Sequence, residues 1–158
     1  MMFIAMLLSL QLSAPTIPVV GLADLEGRFE QGGDTIYVVN FWATWCKPCI
    51  EELPAFDKYE RSTEGQAIKV LLVSLDDPEE LSDVVEPFLK RKGLRPECVL
   101  LDEPKPNEWI DKIDESWSGA IPATWLIDAA TGRRQFFERD FTVDELTQTV
   151  QAFIKAAP

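Results

Sequence analysis

The 158-residue sequence contains no histidine and only three cysteines. A structural zinc site usually takes four cysteine or histidine ligands, so these absences argue against a bound metal. Covalent haem attachment needs a histidine directly after a Cys-x-x-Cys pair, and Ile50 occupies that position. Positive charge is scarce as well, since 15 Lys and Arg residues face 27 Asp and Glu residues, for a net charge of −12. That balance opposes binding to nucleic acid or to anionic lipid surfaces.

No charged side chain occurs before Asp24. Residues 1–14, MMFIAMLLSLQLSA, include an apolar run with the length of a signal-peptide core. The run is too short to span a bilayer, which takes about 20 apolar residues. No Lys or Arg precedes it, so two interpretations stay open: a signal peptide, or an apolar N-terminal segment packed on the domain. We expect membrane association only through residues 1–14, and one domain over residues 15–158.

The stretch 38–54, VVNFWATWCKPCIEELP, carries the chemistry. Residues 37–41 predict the end of a buried strand, and the apolar residues after Cys49 recur at helical spacing: Ile50, Leu53, Phe56 and Tyr59. The predicted strand and helix therefore place Cys46 and Cys49 at the start of a helix over residues 50–61. A helix N-terminus stabilises a thiolate, and in such motifs the pKa of the thiol falls to about 3.5–7.5. Inert cysteines and an inert structural disulfide are the alternatives, although structural bridges usually close longer loops.

Residues beside the two cysteines are predicted to tune them. Lys47 places a positive charge near Cys46, and Pro48 fits a first helical turn, where its missing N–H costs little. Glu52 lies one helical turn after Cys49, on nearly the same face. Two interpretations of Glu52 stay open: an acceptor for the proton of the Cys49 thiol, or a solvated helix residue.

The run FWATWCKPC, followed by Glu-Leu-Pro at 52–54, resembles the thioredoxin superfamily and, within it, the TlpA/ResA-type thiol–disulfide oxidoreductases. A second run, GAIPATWLID at 119–128, resembles that family's cis-proline segment and the strand after it. The resemblance implies an α/β fold: a thioredoxin-like three-layer sandwich with a mixed central sheet and a central strand–helix insertion. It also implies a periplasmic or otherwise exported protein, with a cytoplasmic location as the alternative.

The resemblance further implies roles for individual residues. Cys46 would attack the substrate and Cys49 would resolve the intermediate, while Glu52 matches a family glutamate implicated in the active site. Trp45, the backbone of Ile121 and the cis-proline at Pro122 would contact substrate, partly by main-chain hydrogen bonds that tolerate different sequences. In many thioredoxins a buried carboxylate moves protons at the position that Asn40 holds here, and an amide cannot titrate.

These observations predict an enzyme that reduces protein disulfides through a mixed disulfide. Its partners would be protein disulfides and an upstream thiol reductant; it would need no cofactor, and we expect a monomer. A disulfide oxidant or isomerase and a non-catalytic thioredoxin-fold binding module are the alternatives. A peroxidase fits less well, because peroxide reduction on a related scaffold uses a threonine ahead of a lone attacking cysteine.

The rest of the chain predicts alternating strands and helices. The predicted segments are a strand and turn over 16–25, a hairpin-like turn over 30–34, a strand over 68–75, a helix from Pro78 to Gly93, a strand over 97–101, a helix over 106–115, a strand over 124–128, an edge strand over 133–140, and a final helix after a capping box from Thr142 to Glu145.

Three tryptophans and the third cysteine were assigned from their neighbours. Cys98 lies among apolar residues and is predicted to be a small buried hydrophobe rather than a resolving or metal-binding thiol. Trp117 is predicted either to line a groove beside the dithiol or to belong to the core. For Trp109 and Trp125 the two interpretations also stay open, and a place in the core is at least as well supported as one beside the groove.

Overall fold

A six-stranded mixed sheet forms the centre of the protein. Its strands are β1 (Val19–Val20), β2 (Ile36–Trp42), β3 (Ile68–Ser74), β4 (Glu97–Leu101), β5 (Ala123–Asp128) and β6 (Arg134–Phe137). Their order in the sheet is β1-β4-β3-β2-β5-β6, in which the first four run parallel and β5 is antiparallel to both neighbours. The computed structural model describes residues 17–156, so segment 1–14 and its two interpretations lie outside the described residues.

Helices cover both faces of this sheet. They are α1 (Leu22–Glu30), α2 (Lys47–Ser62), α3 (Glu86–Lys92), α4 (Pro106–Ile113) and α5 (Val143–Lys155). Alternate residues of β2 point to opposite faces: Val38 and Trp42 pack with α2 and α5, whereas Val39 and Phe41 pack with α1 and α4. Two hydrophobic cores result, one on each face, and the predicted three-layer sandwich is confirmed.

Strand β4 corresponds to the predicted central insertion. It pairs in parallel with β3 on one side and with β1 on the other. Helix α4 follows it and returns the chain toward β5. The inserted strand β4 is therefore an internal strand of the central sheet, and α4 packs against that sheet.

Of the strand and turn predicted over residues 16–25, the short strand is confirmed, whereas the turn is wrong because a helix takes its place. The strand is only two residues long, and α1 begins at Leu22. The Asp24 carboxylate accepts the Gly21 N–H at 3.2 Å, while Leu25 and Phe29 share the buried face of the helix with Leu22. No hairpin joins β1 to β2, because a helix separates them and β1 pairs with β4 instead.

The predicted helix from Pro78 to Gly93 consists of three kinds of turn. A 3₁₀ turn (Pro78–Glu80) leads into a π-helical turn (Leu81–Val85) and then into α3. Pro87 has no N–H to donate to the preceding turn, which accounts for the departure from α-helical bonding just before it. Gly93 ends α3 in the left-handed conformation, with φ of 61°, as a C-terminal glycine is expected to do. Elsewhere α4 and β6 are shorter than predicted.

The fold predicts opposite effects for two glycine substitutions. A Cβ on Gly32 would lie 2.6 Å from a ring carbon of buried Tyr37 and 2.9 Å from the Ala129 Cβ, so Gly32→Ala should destabilise the protein by about 1–3 kcal/mol. A Cβ on Gly27, inside α1, meets nothing closer than 3.9 Å, so Gly27→Ala should stabilise it by about 0.5–1 kcal/mol. Urea unfolding measures both, and a Gly32→Ala variant as stable as the parent would contradict this packing.

Candidate active site

The two cysteines of the motif lie at the start of helix α2, Cys46 as its cap and Cys49 in its first turn. Cys46 is the N-cap residue, and its Sγ accepts a hydrogen bond from the Cys49 N–H at 3.3 Å. The two side chains are bonded as a disulfide, with their Cα atoms 5.3 Å apart. Helix α2 starts at Lys47, three residues earlier than predicted, and this places Pro48 in its first turn. The helix N-terminus therefore directs the Cys49 N–H, which has no partner within the helix, and the positive end of the helix dipole at the sulfur of Cys46.

The two sulfur-bearing residues differ in their access to solvent. Cys46 is 5 % exposed and Cys49 is fully buried, so Cys46 is the one of the two that retains surface open to solvent. Trp45 is 67 % exposed beside it. The ammonium of Lys47 is largely solvated and lies 3.8 Å from the Glu51 carboxylate, which offsets part of its charge.

The loop before β5 closes over this disulfide. The Ile121–Pro122 peptide bond is cis, as the resemblance implied. The carbonyl oxygen of Ile121 lies 3.7 Å from Cys46 Sγ, a contact rather than a hydrogen bond because a disulfide sulfur carries no hydrogen. The Trp117 indole N–H donates to the Ala120 carbonyl at 2.8 Å and so ties this loop to the core.

Glu52 is buried beneath the dithiol, and the interpretation as a solvated helix residue is wrong. It is 4 % exposed; its two carboxylate oxygens accept the Asn40 side-chain N–H at 2.7 Å and the Phe141 backbone N–H at 2.8 Å. Burial raises the pKa of Glu52 from 4.5 to about 7, although these two hydrogen bonds and nearby Arg139 act in the opposite direction. A carboxyl group with this pKa exchanges protons near neutral pH.

Asn40 partners Glu52 although it cannot titrate. It lies on the face of β2 that packs against α2, and its Nδ2 also lies 3.5 Å from the Ala123 carbonyl and the Thr124 hydroxyl. Its Oδ1 is buried without a hydrogen-bond partner among the described residues. A half-turn of the amide would present Oδ1 to Glu52, so one side chain can donate to the carboxylate or accept from the protonated acid.

Asp76 is a site residue that the sequence did not single out; it falls between the predicted strand over 68–75 and the helix predicted from Pro78. Its buried carboxylate accepts the Thr44 backbone N–H at 3.0 and 3.1 Å, and it also accepts the Thr44 and Ser74 hydroxyls. These bonds fix the end of β3 to the loop that leads into Cys46. An acidic residue directly after a buried apolar strand, at the edge where the cysteines also lie, was the available signal.

The three remaining tryptophans and Cys98 differ in how closely they follow the predictions. Trp125 is fully buried, so the core interpretation is confirmed for it. Trp109 and Trp117 are largely buried, yet both line a groove that also touches Trp45. Cys98 is only half-buried as a residue, but desolvation of its thiol raises the pKa to about 12. Between residues 17 and 156, no cluster of Cys, Asp or Glu side chains is arranged to hold a metal ion.

With a bonded cysteine pair capping a helix and a cis-proline loop against it, the protein falls among the thioredoxin-like thiol–disulfide oxidoreductases. The chain belongs to the AhpC/TSA family, which matches residues 14–132. Enzymes of this class exchange disulfides with protein substrates and redox partners. None of the helices in the described part of the chain is long and apolar enough to cross a membrane.

Similar proteins support this assignment. The thiol–disulfide oxidoreductase ResA of Geobacillus thermodenitrificans is 30% identical over 145 residues, which cover 87% of this chain and 75% of that protein. A thioredoxin-related protein from Neisseria meningitidis serogroup B superposes with a TM-score of 0.66 at 24% identity, over 76% of this chain and 85% of its own. StoA from Bacillus subtilis gives 0.59 at 24% identity, over 75% and 84%. The predicted family and fold are confirmed.

The raised pKa of Glu52 predicts a pH-dependent stability. Between pH 4.5 and about 7 the folded state holds more protons at Glu52 than the unfolded state does, so the free energy of unfolding should fall as pH rises through that window. The loss should total about 3 kcal/mol and should be absent in Glu52→Gln. Urea unfolding of the oxidised protein at pH 5 and pH 8 measures it. Glu51→Gln, at the exposed neighbouring position, is the control, and parallel pH profiles for the parent and Glu52→Gln would contradict the burial argument.

Asp76 predicts a second effect on stability. Asp76→Ala removes the acceptor for the Thr44 N–H and for two hydroxyls, and each buried donor left unpaired costs about 1–3 kcal/mol. We expect at least about 2 kcal/mol of destabilisation, measured by urea unfolding. Asp77→Ala is the matched control, because the side chain of exposed Asp77 accepts the Glu79 N–H and no other hydrogen bond from residues 17–156, and its loss should cost about 1 kcal/mol. Equal losses for the two variants would refute the role assigned to Asp76.

Proposed function

We propose that this protein reduces disulfides in other polypeptides, with Cys46 as the nucleophile. The observation that carries the proposal is the position of Cys46 Sγ, which accepts the Cys49 N–H at the start of α2 and lies against the Ile121 carbonyl. After reduction, the same helix N-terminus stabilises a thiolate on Cys46. The exposed side of that sulfur is the side that an incoming substrate disulfide meets.

The first half-reaction starts from the reduced dithiol. The Cys46 thiolate attacks one sulfur of the substrate disulfide, the substrate S–S bond breaks, and the departing substrate sulfur leaves as a thiolate that takes a proton from water. The product is a mixed disulfide between Cys46 and the substrate. The main chain at Ile121 holds the substrate chain in an extended conformation, and Trp45 covers its exposed side.

The second half-reaction releases the substrate. Cys49 loses its proton to the Glu52 carboxylate, one helical turn away, and its thiolate attacks Cys46 Sγ. The mixed disulfide breaks, the second substrate sulfur leaves as a thiolate that takes a proton from solvent or from protonated Glu52, and the Cys46–Cys49 bridge forms, so that two electrons in total pass to the substrate. A dithiol reductant upstream then returns two electrons and one proton, which regenerates the Cys46 thiolate and the Cys49 thiol, and its second proton goes to solvent. With a pKa of about 7, Glu52 can accept and later return one of these protons.

The charges around the dithiol act on its reduction potential in opposite senses. The helix N-terminus favours a thiolate on Cys46 and so stabilises the reduced form, whereas ionised Glu52 disfavours a thiolate on Cys49 above neutral pH and acts against the reduced form. Lys47 acts in the opposite sense, but its charge is solvated and paired with Glu51. A couple that prefers to be oxidised is a reductant toward its substrates.

We further propose that the protein acts as a monomer outside the cytoplasm. Support comes from the uncharged apolar segment 1–14, which has the length of a signal-peptide core. Expression of the full chain in a bacterial host, followed by cell fractionation and mass determination of the N-terminus, tests export. Recovery of uncleaved chain only in the cytoplasm would reject it.

Three cysteine variants test the mechanism. Cys46→Ser should abolish reduction of insulin disulfides, because no nucleophile remains at the accessible position. Cys49→Ser should accumulate mixed disulfides with substrate proteins, since the resolving thiol is missing. Cys98→Ser is the control and should keep the parent's turnover, as a thiol with a pKa of about 12 is not a thiolate at neutral pH. Retained turnover in Cys46→Ser would refute the proposal.

The reduction potential of the Cys46–Cys49 couple tests the direction of electron flow. We expect a value nearer to the roughly −270 mV of thioredoxin than to the roughly −120 mV of a strong oxidant. Equilibration with defined glutathione ratios, read by thiol alkylation and mass, provides the measurement. A value above about −180 mV, the range of disulfide isomerases, would instead favour the oxidant or isomerase alternative.

A further inference from the structure

An apolar groove of about 220 Å³ lies beside the disulfide. Its apolar lining comes from three connections at the same edge of the sheet and from α4, and includes Trp45, Leu75, Leu101, Trp109, Ile110 and Trp117. The volume is below the roughly 300–1,000 Å³ of small-molecule sites and suits one or two side chains. A larger polar groove of about 310 Å³, near Thr63 and Arg95, is lined by residues from the opposite edge of the sheet.

The walls of this groove are held in place before any ligand arrives. The Trp109 indole N–H donates to the Glu103 carbonyl at 3.1 Å, and the Trp117 indole N–H donates to the Ala120 carbonyl at 2.8 Å. The two rings meet edge to face, with centroids 5.5 Å apart. Because both polar ring atoms are satisfied, the rings offer only apolar surface to the groove. Trp117 also joins the groove to the loop of Ile121, against the reactive sulfur.

The connections that line the groove carry almost only negative charge. Residues 75–80, 102–105 and 114–122, which contain or flank lining residues, contribute seven carboxylates besides buried Asp76, of which Glu103 lines the groove itself: Asp77, Glu79, Glu80, Asp102, Glu103, Asp114 and Glu115. Two ammonium groups stand near the lining residues in sequence, Lys105 and, two residues after Trp45, Lys47, which lies 3.8 Å from the Glu51 carboxylate. Lys105 is already paired with Glu108 at 2.9 Å. Among the described residues, none of the seven carboxylates forms an ion pair with a Lys or Arg side chain.

We propose that this groove selects polypeptide substrates that carry an apolar side chain next to the reactive cysteine and Lys or Arg residues around it. The apolar side chain enters the groove between Trp45 and Trp117, while the basic residues meet the surrounding carboxylates. This inference rests on the proposed function and specifies the substrate for the same site. Charge complementarity favours a basic, apolar substrate segment in the groove. The carboxylates around the groove would repel an acidic segment, and a polar side chain would lose its hydration on entering the apolar groove.

The positions of the groove and the sulfur make the two contacts compatible. Trp45 directly precedes Cys46 and is itself part of the groove lining. A substrate whose sulfur reaches Cys46 therefore has its neighbouring residue within reach of the groove. Burying a leucine-sized side chain strengthens binding, whereas the carboxylates act over longer range and mainly raise the rate of encounter.

Four peptides of equal length test the proposal. Each has one cysteine blocked as a disulfide with 2-mercaptoethanol; the residue next to it is Leu or Ser, and the flanking residues are Lys or Glu. The full-length reduced protein is mixed with each peptide, and the second-order rate constant of attack by Cys46 is read by rapid quenching and mass spectrometry. Leu in place of Ser should raise it by about tenfold. At low salt Lys in place of Glu should raise it by about tenfold, and by less than about twofold at 1 M salt, where the screening length is about 3 Å.

The outcomes separate this inference from the proposed function. Equal rate constants for all four peptides, each abolished by Cys46→Ser, would overturn the groove assignment and leave the nucleophile in place. No reaction with any peptide would overturn the proposed function and the inference together. A preference for Leu that is independent of charge and salt would overturn the basic part of the substrate description.

A charge-reversal pair localises the effect. Asp102→Lys, with Glu115→Lys in the same chain, should reduce the preference for the Lys peptide over the Glu peptide at least threefold. Asp34→Lys with Glu30→Lys is the matched control: it changes net charge equally, at exposed positions before β2 on the opposite edge of the sheet. An equal fall in preference for both double variants would show that net charge alone, and not the groove's surroundings, selects the substrate.

Discussion

The hydrogen bond from the Cys49 N–H to Cys46 Sγ is the interaction on which the site depends. It exists because α2 begins directly after Cys46, so the first turn of the helix directs its free donors at that sulfur. Parallel strand β2 places this helix start at the edge of the sheet, and antiparallel β5 begins at the same edge. The reactive sulfur and the loop of Ile121 thus meet because of sheet topology, although they are far apart in sequence.

Two buried carboxyl groups support this arrangement in different ways. Asp76 fixes the loop before Cys46 through bonds to Thr44 and Ser74. Glu52 lies on the opposite side of the motif, where burial shifts its proton affinity to neutral pH. Asn40 stands where many relatives carry a titrating acid, but in this protein the titrating group is on α2 and the amide on β2 is its partner. In this protein the carboxyl group with the raised pKa therefore lies on the helix that bears the cysteines.

Much of the fold and of the active site could be predicted from the sequence. The features that could not be predicted were missed for physical reasons. The strands β2, β3 and β4 carry continuous apolar runs, and the motif at Cys46 is local, so both were predicted closely. Helix α1 was missed because its start is set by Gly21 and Asp24, a weak signal beside the apolar residues before it. The burial of Glu52 depends on Phe141, a partner 89 residues away, and spacing along one helix says nothing of such a partner.

Helix α4, which forms one wall of the groove, belongs to the insertion that contributes β4 to the sheet. Strand β4 sits between β3 and β1, so α4 packs on the face opposite α2, with the sheet between them. The residues that govern sulfur chemistry and those that form this wall consequently occupy separate layers. If the groove binds substrate as proposed, substitutions in α4 can change which substrates bind without changing the thiol pKa values or the reduction potential of the cysteine pair. Diversification within such a lineage would then be expected to concentrate in the layer that bears Trp109 and Ile110, while the opposite layer stays under tighter constraint.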